Sequence, residues 1–149
     1  MPLISGSATA EVDAPLERCW SVVEDVPSAP QWQNGLERME IVERDQQGRA
    51  LVCYTVSDAK LRKVRSRVRF TYEGPTRLSW TQIEDGALRL LEGYWQLEPL
   101  DDGRTRVTYG LAVDPGPVGR LARGPAERVI RAVLLNPRPK ELGKRVAEG

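Results

Sequence analysis

The fold of this chain is decided by three segments: Leu78-Ser79-Trp80, Gly93-Tyr94-Trp95-Gln96-Leu97-Glu98-Pro99-Leu100 and Arg104-Thr105-Arg106-Val107-Thr108-Tyr109-Gly110-Leu111. Each segment alternates apolar with polar residues, which is typical of a β-strand with one buried face. Trp80, Trp95 and Tyr109 fall on the apolar positions of their own segments. These three rings are therefore expected to lie together on one concave, apolar side of a sheet.

Four further segments show the same alternation and raise the number of predicted strands to seven. They cover residues 4 to 13, 36 to 44, 50 to 57 and 61 to 72. Short polar turns such as Asp45-Gln46-Gln47-Gly48 separate the last six strands, so these are expected to form one consecutive antiparallel meander. In the strand over residues 61 to 72, the basic residues from Lys63 to Arg69 occupy the polar positions and predict a solvated outer face.

Helical patterns lie between the first two strands and at the end of the chain. Pro15 indicates the start of a helix that ends near Asp25, and a second short helical piece should end around Trp32. After Pro117 the apolar residues recur at helical spacing. They are Val118, Leu121, Ala122, Val129, Ile130, Val133 and Leu134. The segment Asn136-Pro137-Arg138-Pro139 must break or kink this helix, because proline lacks the amide hydrogen that a helix interior needs.

An antiparallel sheet with one apolar face needs a covering layer, and the C-terminal helix is the only predicted element long enough to supply it. The predicted fold class is therefore α+β, with a seven-stranded antiparallel sheet wrapped around a long C-terminal helix and two short helices between strands 1 and 2. The length of 149 residues predicts a single domain over residues 1–149. Small residues at inner positions, among them Gly6, Ala8 and Ala10, leave room for a cavity beside the helix.

The composition argues against several classes of function. The 22 basic and 21 acidic residues leave a net charge of +1, which disfavours nucleic-acid binding. The chain has neither an apolar run long enough to span a bilayer nor a signal-peptide pattern, so a cytoplasmic protein without stable membrane insertion is expected. Histidine is absent, which rules out Ser-His and Cys-His dyads. Cys19 and Cys53 follow no metal-binding spacing, so neither a metal site nor a cofactor is predicted.

The order of the elements, together with five short motifs, resembles a known superfamily. The motifs are Ala10-Glu11-Val12-Asp13-Ala14-Pro15, Trp20-Ser21-Val22-Val23-Glu24-Asp25-Val26, Pro30-Gln31-Trp32, Glu92-Gly93-Tyr94-Trp95 and Thr105-Arg106-Val107-Thr108-Tyr109. Over nearly its whole length the chain resembles the START-related SRPBCC superfamily, and more narrowly its polyketide cyclase/dehydrase and lipid-transport group. This resemblance implies a helix-grip fold that binds a hydrophobic small molecule between the sheet and the long helix.

Ten residues are the candidates for contact with such a ligand. They are Trp32, Tyr54, Ser66, Phe70, Trp80, Trp95, Tyr109, Leu111, Val129 and Val133. For the aromatic residues of the sheet, core packing is the competing interpretation. Tyr54 and Tyr109 are the most informative, because a buried phenol needs a hydrogen-bond partner and could orient a ligand oxygen. Trp32 is expected either to act as a lid over the cavity or to hold the short helix against the sheet.

Three functions remain open at this point. The first is binding or transport of a hydrophobic small molecule, such as a lipid, an isoprenoid or a polyketide-like compound, by a monomer or homodimer. The second is a polyketide cyclase or dehydratase that acts on a poly-β-keto chain in the same cavity. The third is a protein-interaction module of the coenzyme-Q-binding type, which needs an exposed apolar or basic patch.

A charged group inside the cavity would distinguish the enzyme from the binding protein, because aldol and dehydration steps need charge to stabilise an enolate or move a proton. The resemblance implies a pocket arginine shortly before the turn Glu73-Gly74-Pro75, and the matching position here holds Thr71. Arg67 and Arg69 lie nearby, but on the polar face of their strand. No catalytic residue is therefore predicted, and binding without catalysis is favoured.

Overall fold

The computed structural model describes residues 4–58, 63–83, 88–114 and 127–148. Seven strands and several helices follow one another in the predicted order. They are β1 Ile4–Val12, α1 Leu16–Glu24, a 3₁₀ helix Val26–Gln31, β2 Leu36–Arg44, β3 Ala50–Asp58, β4 Lys63–Glu73, β5 Arg77–Gln82, β6 Leu90–Pro99, β7 Thr105–Asp114, a π-helix Ile130–Leu135 and α2 Arg138–Glu148. The predicted fold class, with two short helices between the first two strands, is confirmed.

The strands form one antiparallel sheet in the order β1-β7-β6-β5-β4-β3-β2. Strands β2 to β7 are a meander, and β1 pairs with β7 at the far edge. The register sets Phe70 opposite Trp80, and Trp95 opposite Tyr109. Because directly opposed residues of paired strands share a face of the sheet, the large rings of β4 to β7 gather on the inner face.

The alternation read from the sequence matches the burial of the strands. In β4, Val68 and Phe70 are buried, whereas Arg65, Arg67 and Arg69 are exposed. The basic row therefore lies on the solvated face, as predicted. Arg65, Arg67 and Arg69 of β4 therefore do not lie on the inner face of the sheet.

The C-terminal helix changes its winding where the prolines occur. The π-helix ends with the Asn136 amide donating to the Arg131 carbonyl over 2.7 Å, a bond that spans five residues. Pro137 and Pro139 have no amide hydrogen for the carbonyls of the preceding turn, so a regular α-helix cannot pass through them. The chain turns at residues 136–137 and resumes as α2, which confirms the predicted break. The predicted start of this helix, after Pro117, lies outside the described residues.

Helix α2 holds the end of the chain against the rest of the fold. It packs on β1 and α1, and Leu142 and Val146 are buried. The Arg18 guanidinium donates to the Val146 carbonyl over 2.8 Å. A guanidinium in this position satisfies one of the carbonyls that a helix leaves unpaired at its C-terminus.

In the described ranges of the chain, no helix is long and apolar enough to cross a bilayer. No group of three or more histidine, cysteine, aspartate or glutamate side chains in the same ranges is arranged to hold a metal ion.

Alanine substitutions at two glycines are expected to change the free energy of unfolding in opposite directions. A Cβ at Gly93 would lie 2.5 Å from Cζ2 of Trp80 and 2.8 Å from the Gly110 carbonyl oxygen. At Gly143, in α2, it would meet only Val12 Cγ2, at 3.5 Å. We expect Gly93→Ala to lower the free energy of unfolding by about 1–3 kcal/mol through overpacking. Gly143→Ala should raise it by up to about 1 kcal/mol, because alanine is the better helix former.

Urea denaturation of both glycine variants measures these changes directly. Equal free energies of unfolding for Gly93→Ala and wild type would show that Trp80 does not rest against the backbone of β6.

The buried thiols predict a decline in stability at alkaline pH. Burial raises the pKa of Cys53 from an ordinary value of 9.0 to about 11. The unfolded chain then loses its thiol proton more readily than the folded chain, so this contribution is complete below pH 9 and declines as the pH approaches 11. We expect Cys53→Ala to flatten the fall in the free energy of unfolding across this window, as measured by urea denaturation at each pH. An unchanged slope in the variant would contradict the assignment.

Candidate functional site

A cavity of about 120 Å³ lies between the inner face of the sheet, the 3₁₀ helix and the C-terminal helical segment. Most of its lining is apolar. From the sheet and helices, the residues that line it include Ala29, Trp32, Met39, Thr55, Val64, Val68, Phe70, Leu78, Trp80, Leu91, Trp95, Tyr109, Leu111, Val113, Ile130, Leu134 and Arg138. Apolar walls with few polar groups are typical of small-molecule sites.

Five aromatic rings form a continuous wall of this cavity. Ring centroids are 6.0 Å apart for Trp32 and Trp95, 4.8 Å for Trp95 and Tyr109, 5.7 Å for Tyr109 and Trp80, and 5.9 Å for Trp80 and Phe70. Trp95 meets Tyr109 edge to face, the geometry that the ring quadrupole favours. Each ring contacts at least one neighbouring ring, so the five form one continuous aromatic surface.

Six of the ten predicted site residues line the cavity. They are Trp32, Phe70, Trp80, Trp95, Tyr109 and Leu111. The other four, Tyr54, Ser66, Val129 and Val133, are not among the lining residues. Contact with a ligand stays a prediction for all ten, and the geometry supports it for the six that line the cavity.

Features of β3 and β4 explain why Tyr54 and Ser66 are not among the lining residues. In β3 both alternating sets of residues are largely buried, so the pattern left the inner face ambiguous. Thr55 and Ser57 line the cavity, and Tyr54 belongs to the opposite set. Ser66 is buried, but its hydroxyl donates to Gln82 over 2.8 Å and its carbonyl accepts a bond from Thr55. Its polar groups are therefore used within the sheet.

On the C-terminal helix, the residues that line the cavity differ from the predicted ones by one position. Ile130 and Leu134 line the cavity in place of the predicted Val129 and Val133. Val133 and Leu134 both pack over Gly35, with Cγ1 of Val133 3.1 Å and Cδ2 of Leu134 2.8 Å from the point where a Cβ would sit. Gly35 has a φ of +86°, a conformation that glycine adopts without strain. The loop that precedes β2 therefore packs against this side of the helix.

Arg138 is a buried, charged cavity residue that sequence reasoning missed. It is the first residue of α2, and its side chain is only 3% exposed. Ile130, Leu134 and Arg138 are spaced by four residues, so they share a face across the proline turn. The prolines on either side of Arg138 had indicated a broken helix, which concealed this continuity. The spacing from Leu134 was the signal that could have revealed it.

The hydrogen bonds of Arg138 use only part of its guanidinium. Nη1 donates to the Asn34 carbonyl and to Glu141 Oε1, each over 2.7 Å. Cζ lies 5.9 Å from the centroid of the Tyr109 ring. Among the described residues, the Nε of Arg138 is the one buried side-chain nitrogen or oxygen without a hydrogen-bond partner. A buried donor in this state costs about 1–3 kcal/mol.

Tyr109 presents a protonated phenol to the same region. Burial raises the pKa of this phenol, and the attraction and hydrogen bonding of Arg138 oppose the shift without reversing it. The hydroxyl therefore stays neutral at physiological pH. Arg138 and Tyr109 together supply the polar end of an otherwise apolar cavity.

The family of the chain follows from comparison with known sequences. The sequence model described as polyketide cyclase / dehydrase and lipid transport matches residues 4–136. The chain therefore belongs to this family, as its motifs had indicated. A search of curated proteins found no match.

Solved structures of the same fold come from several bacteria. A START superfamily protein of Mycobacterium smegmatis has a TM-score of 0.76 at 21% identity, with 97% of each chain covered. A Thermus thermophilus protein has a TM-score of 0.81 at 22% identity, with 97% of each chain covered. The Zhui aromatase/cyclase of a Streptomyces species has a TM-score of 0.78 at 18% identity, covering 98% of this chain and 94% of the other. At these identities the likeness shows the helix-grip fold alone.

We expect Trp32 to control how fast a small apolar molecule enters and leaves the cavity. It is half-buried, its indole donates to Ser28 over 3.3 Å, and its ring rests on Trp95. Trp32→Ala removes an aromatic pair that is worth about 0.5–1.5 kcal/mol. The dissociation rate of ethylbenzene, measured by NMR exchange, should therefore rise about two- to tenfold.

Trp20→Phe is the matched control for this change, since Trp20 packs over Gly74 and does not line the cavity. A Trp32→Ala variant that melts earlier but exchanges ethylbenzene at the wild-type rate would assign Trp32 a purely structural role.

Proposed function

We propose that this protein binds and carries a hydrophobic small molecule in the cavity between the sheet and the C-terminal helical segment. The observation that carries the proposal is the wall of five aromatic rings around space that the core leaves unfilled. Protein interiors are normally packed to the density of organic crystals. An unfilled apolar space with an ordered aromatic wall is thus better explained by a ligand than by core packing.

The size of the cavity supports a ligand of ring dimensions. An apolar cavity of about 150 Å³ can hold benzene, and the space here is about 120 Å³. A single ring, or the ring end of a longer molecule, matches this volume. Lipid, isoprenoid and polyketide-like compounds all contain segments of this size.

Native mass spectrometry of protein purified directly from its host is the first test. Ala29→Phe should abolish any retained mass, because Ala29 is buried in the 3₁₀ helix and lines the cavity. Ala112→Phe is the matched control, since Ala112 lies on the outer face opposite Ser5 and Glu92. A mass that persists in Ala29→Phe would place the ligand elsewhere.

Titration with ethylbenzene tests the cavity where no natural ligand is retained. Three of the four tryptophans, Trp32, Trp80 and Trp95, line the cavity, whereas Trp20 does not. Their indole N–H signals should shift in ¹H–¹⁵N spectra, while that of Trp20 serves as an internal reference. We expect Ala29→Phe to weaken binding at least about tenfold, because the added ring takes up the ligand volume. Saturable shifts of equal affinity in wild type and Ala29→Phe would contradict the proposal.

Arg138 favours a second function, that of a polyketide cyclase or dehydratase. Once a water molecule has taken the proton from the carbon between two carbonyls, Arg138 can stabilise the resulting enolate oxygen. The neutral Tyr109 phenol can then give its proton to the departing hydroxide, which leaves as water, and recover a proton from the protonated water. Incubation with a synthetic poly-β-ketone, followed by ultraviolet absorbance, would detect ring closure with loss of water. Activity that disappears in Tyr109→Phe would establish catalysis in this cavity, and unchanged substrate would leave the carrier function.

An interaction module receives less support. In the described part of the chain, the exposed large apolar side chains are Val42 and Ile83, at 44% and 40% exposure. They belong to separate parts of the sequence, on β2 and just after β5. A protein-binding surface normally needs a contiguous apolar patch.

A further inference from the structure

We propose that Arg138 anchors an uncharged oxygen of the ligand, and that Glu141 makes the cavity select neutral ligands over anions. This inference rests on the proposed binding function and names the chemistry of its ligand. The ligand would be an apolar molecule with a ketone, ester, quinone or phenol oxygen. That oxygen would accept a hydrogen bond from Nε of Arg138.

The unpaired Nε carries the first part of the argument. The Arg138 side chain is almost fully buried and lines the cavity, yet its Nε has no partner in the structure. Its Nη1 is occupied by two acceptors on the protein side, and the Tyr109 ring lies beside the guanidinium. Buried donors are nearly always paired in folded proteins. An oxygen arriving in the cavity would supply the missing acceptor.

Glu141 carries the second part, because it already compensates the charge of Arg138. Oε1 of Glu141 accepts a hydrogen bond from Nη1 of Arg138 over 2.7 Å, and Oε2 accepts one from the backbone amide of Asn34 over 3.1 Å. The Glu141 side chain is only 17% exposed, so solvent screens this ion pair weakly. The arginine therefore offers a hydrogen-bond donor without offering a net positive charge.

A carboxylate ligand would meet an unfavourable environment. It would add an uncompensated negative charge to an apolar cavity, and such burial is costly. A neutral carbonyl accepts the same hydrogen bond without this cost. The arrangement thus predicts a preference for ketones over fatty-acid-like anions of the same size.

Three probes of nearly equal shape test the preference: ethylbenzene, acetophenone and benzoate. Their dissociation constants can be read from the indole N–H shifts of Trp32, Trp80 and Trp95. Acetophenone should bind at least about tenfold more tightly than ethylbenzene, because a hydrogen bond to a charged group contributes more than a neutral one. Benzoate should bind more weakly than either neutral probe.

Glu141→Gln tests the charge argument. It leaves Arg138 uncompensated, so benzoate affinity should rise at least about tenfold, while acetophenone affinity should change less than about threefold. Glu98→Gln is the matched control, because Glu98 pairs with Arg106 on the exposed face of the sheet. This control should leave all three affinities unchanged.

Removing the anchor tests the hydrogen bond. Arg138→Met alone would strand the charge of Glu141, so the double variant Arg138→Met/Glu141→Gln is included to preserve folding. Acetophenone should lose its advantage over ethylbenzene in the double variant, while ethylbenzene still binds.

The outcomes separate the two proposals. No binding of any probe to the wild type would defeat the proposed function itself. Binding of ethylbenzene with no gain for acetophenone, or a benzoate affinity that Glu141→Gln leaves unchanged, would overturn only the role assigned to Arg138 and Glu141.

Discussion

The contact between Trp95 and Tyr109 is the interaction on which the cavity depends. These rings lie on adjacent strands, directly opposite one another, with centroids 4.8 Å apart. Trp32 joins them from the end of the 3₁₀ helix, and Trp80 with Phe70 extends the wall across β5 and β4. Strand register sets Phe70 opposite Trp80, and Trp95 opposite Tyr109. The rings thus form one aromatic surface on the side of the sheet that borders the cavity.

The glycine opposite Trp80 shows how backbone and wall depend on each other. Gly93 pairs with Trp80 across the β5–β6 ladder, and the indole covers the position where a side chain would stand. A bulky ring can therefore lie close to the sheet without filling the cavity. This explains why a sequence rich in inner-face aromatics still leaves open space.

The prolines that interrupt the C-terminal helix also determine where the charge of Arg138 lies. The π-helix and the turn at residues 136–137 bring Arg138 onto the face that carries Ile130 and Leu134. A buried arginine is stable only with partners, and Glu141 together with the Asn34 carbonyl provides them. The proline segment, which in the sequence indicates only a helix break, thus gives the apolar cavity a polar end.

Much of the fold could be read from alternation and helical spacing, because a half-buried strand and an amphipathic helix each impose a period on the side chains. That reasoning reached the strands, the helices and all five rings of the aromatic wall. It did not separate the lining residues from their neighbours on β3, where both faces are largely buried, or on the C-terminal helix, where a rotation of one residue exchanges neighbours. Ser66 was placed on the correct face, but its hydroxyl is bound within the sheet.

The helix-grip fold, the solvated basic row and the aromatic character of the inner face can be read from the amino-acid order, since these features depend on local periodicity and on residue type. Which side chains border the cavity, with an arginine among them, depends on how distant parts of the chain pack together. Arg138 meets Asn34 and Tyr109 through contacts between residues far apart in the chain. The spacing from Leu134 indicates the face of the helix on which Arg138 lies, but only three-dimensional packing brings that face to the cavity.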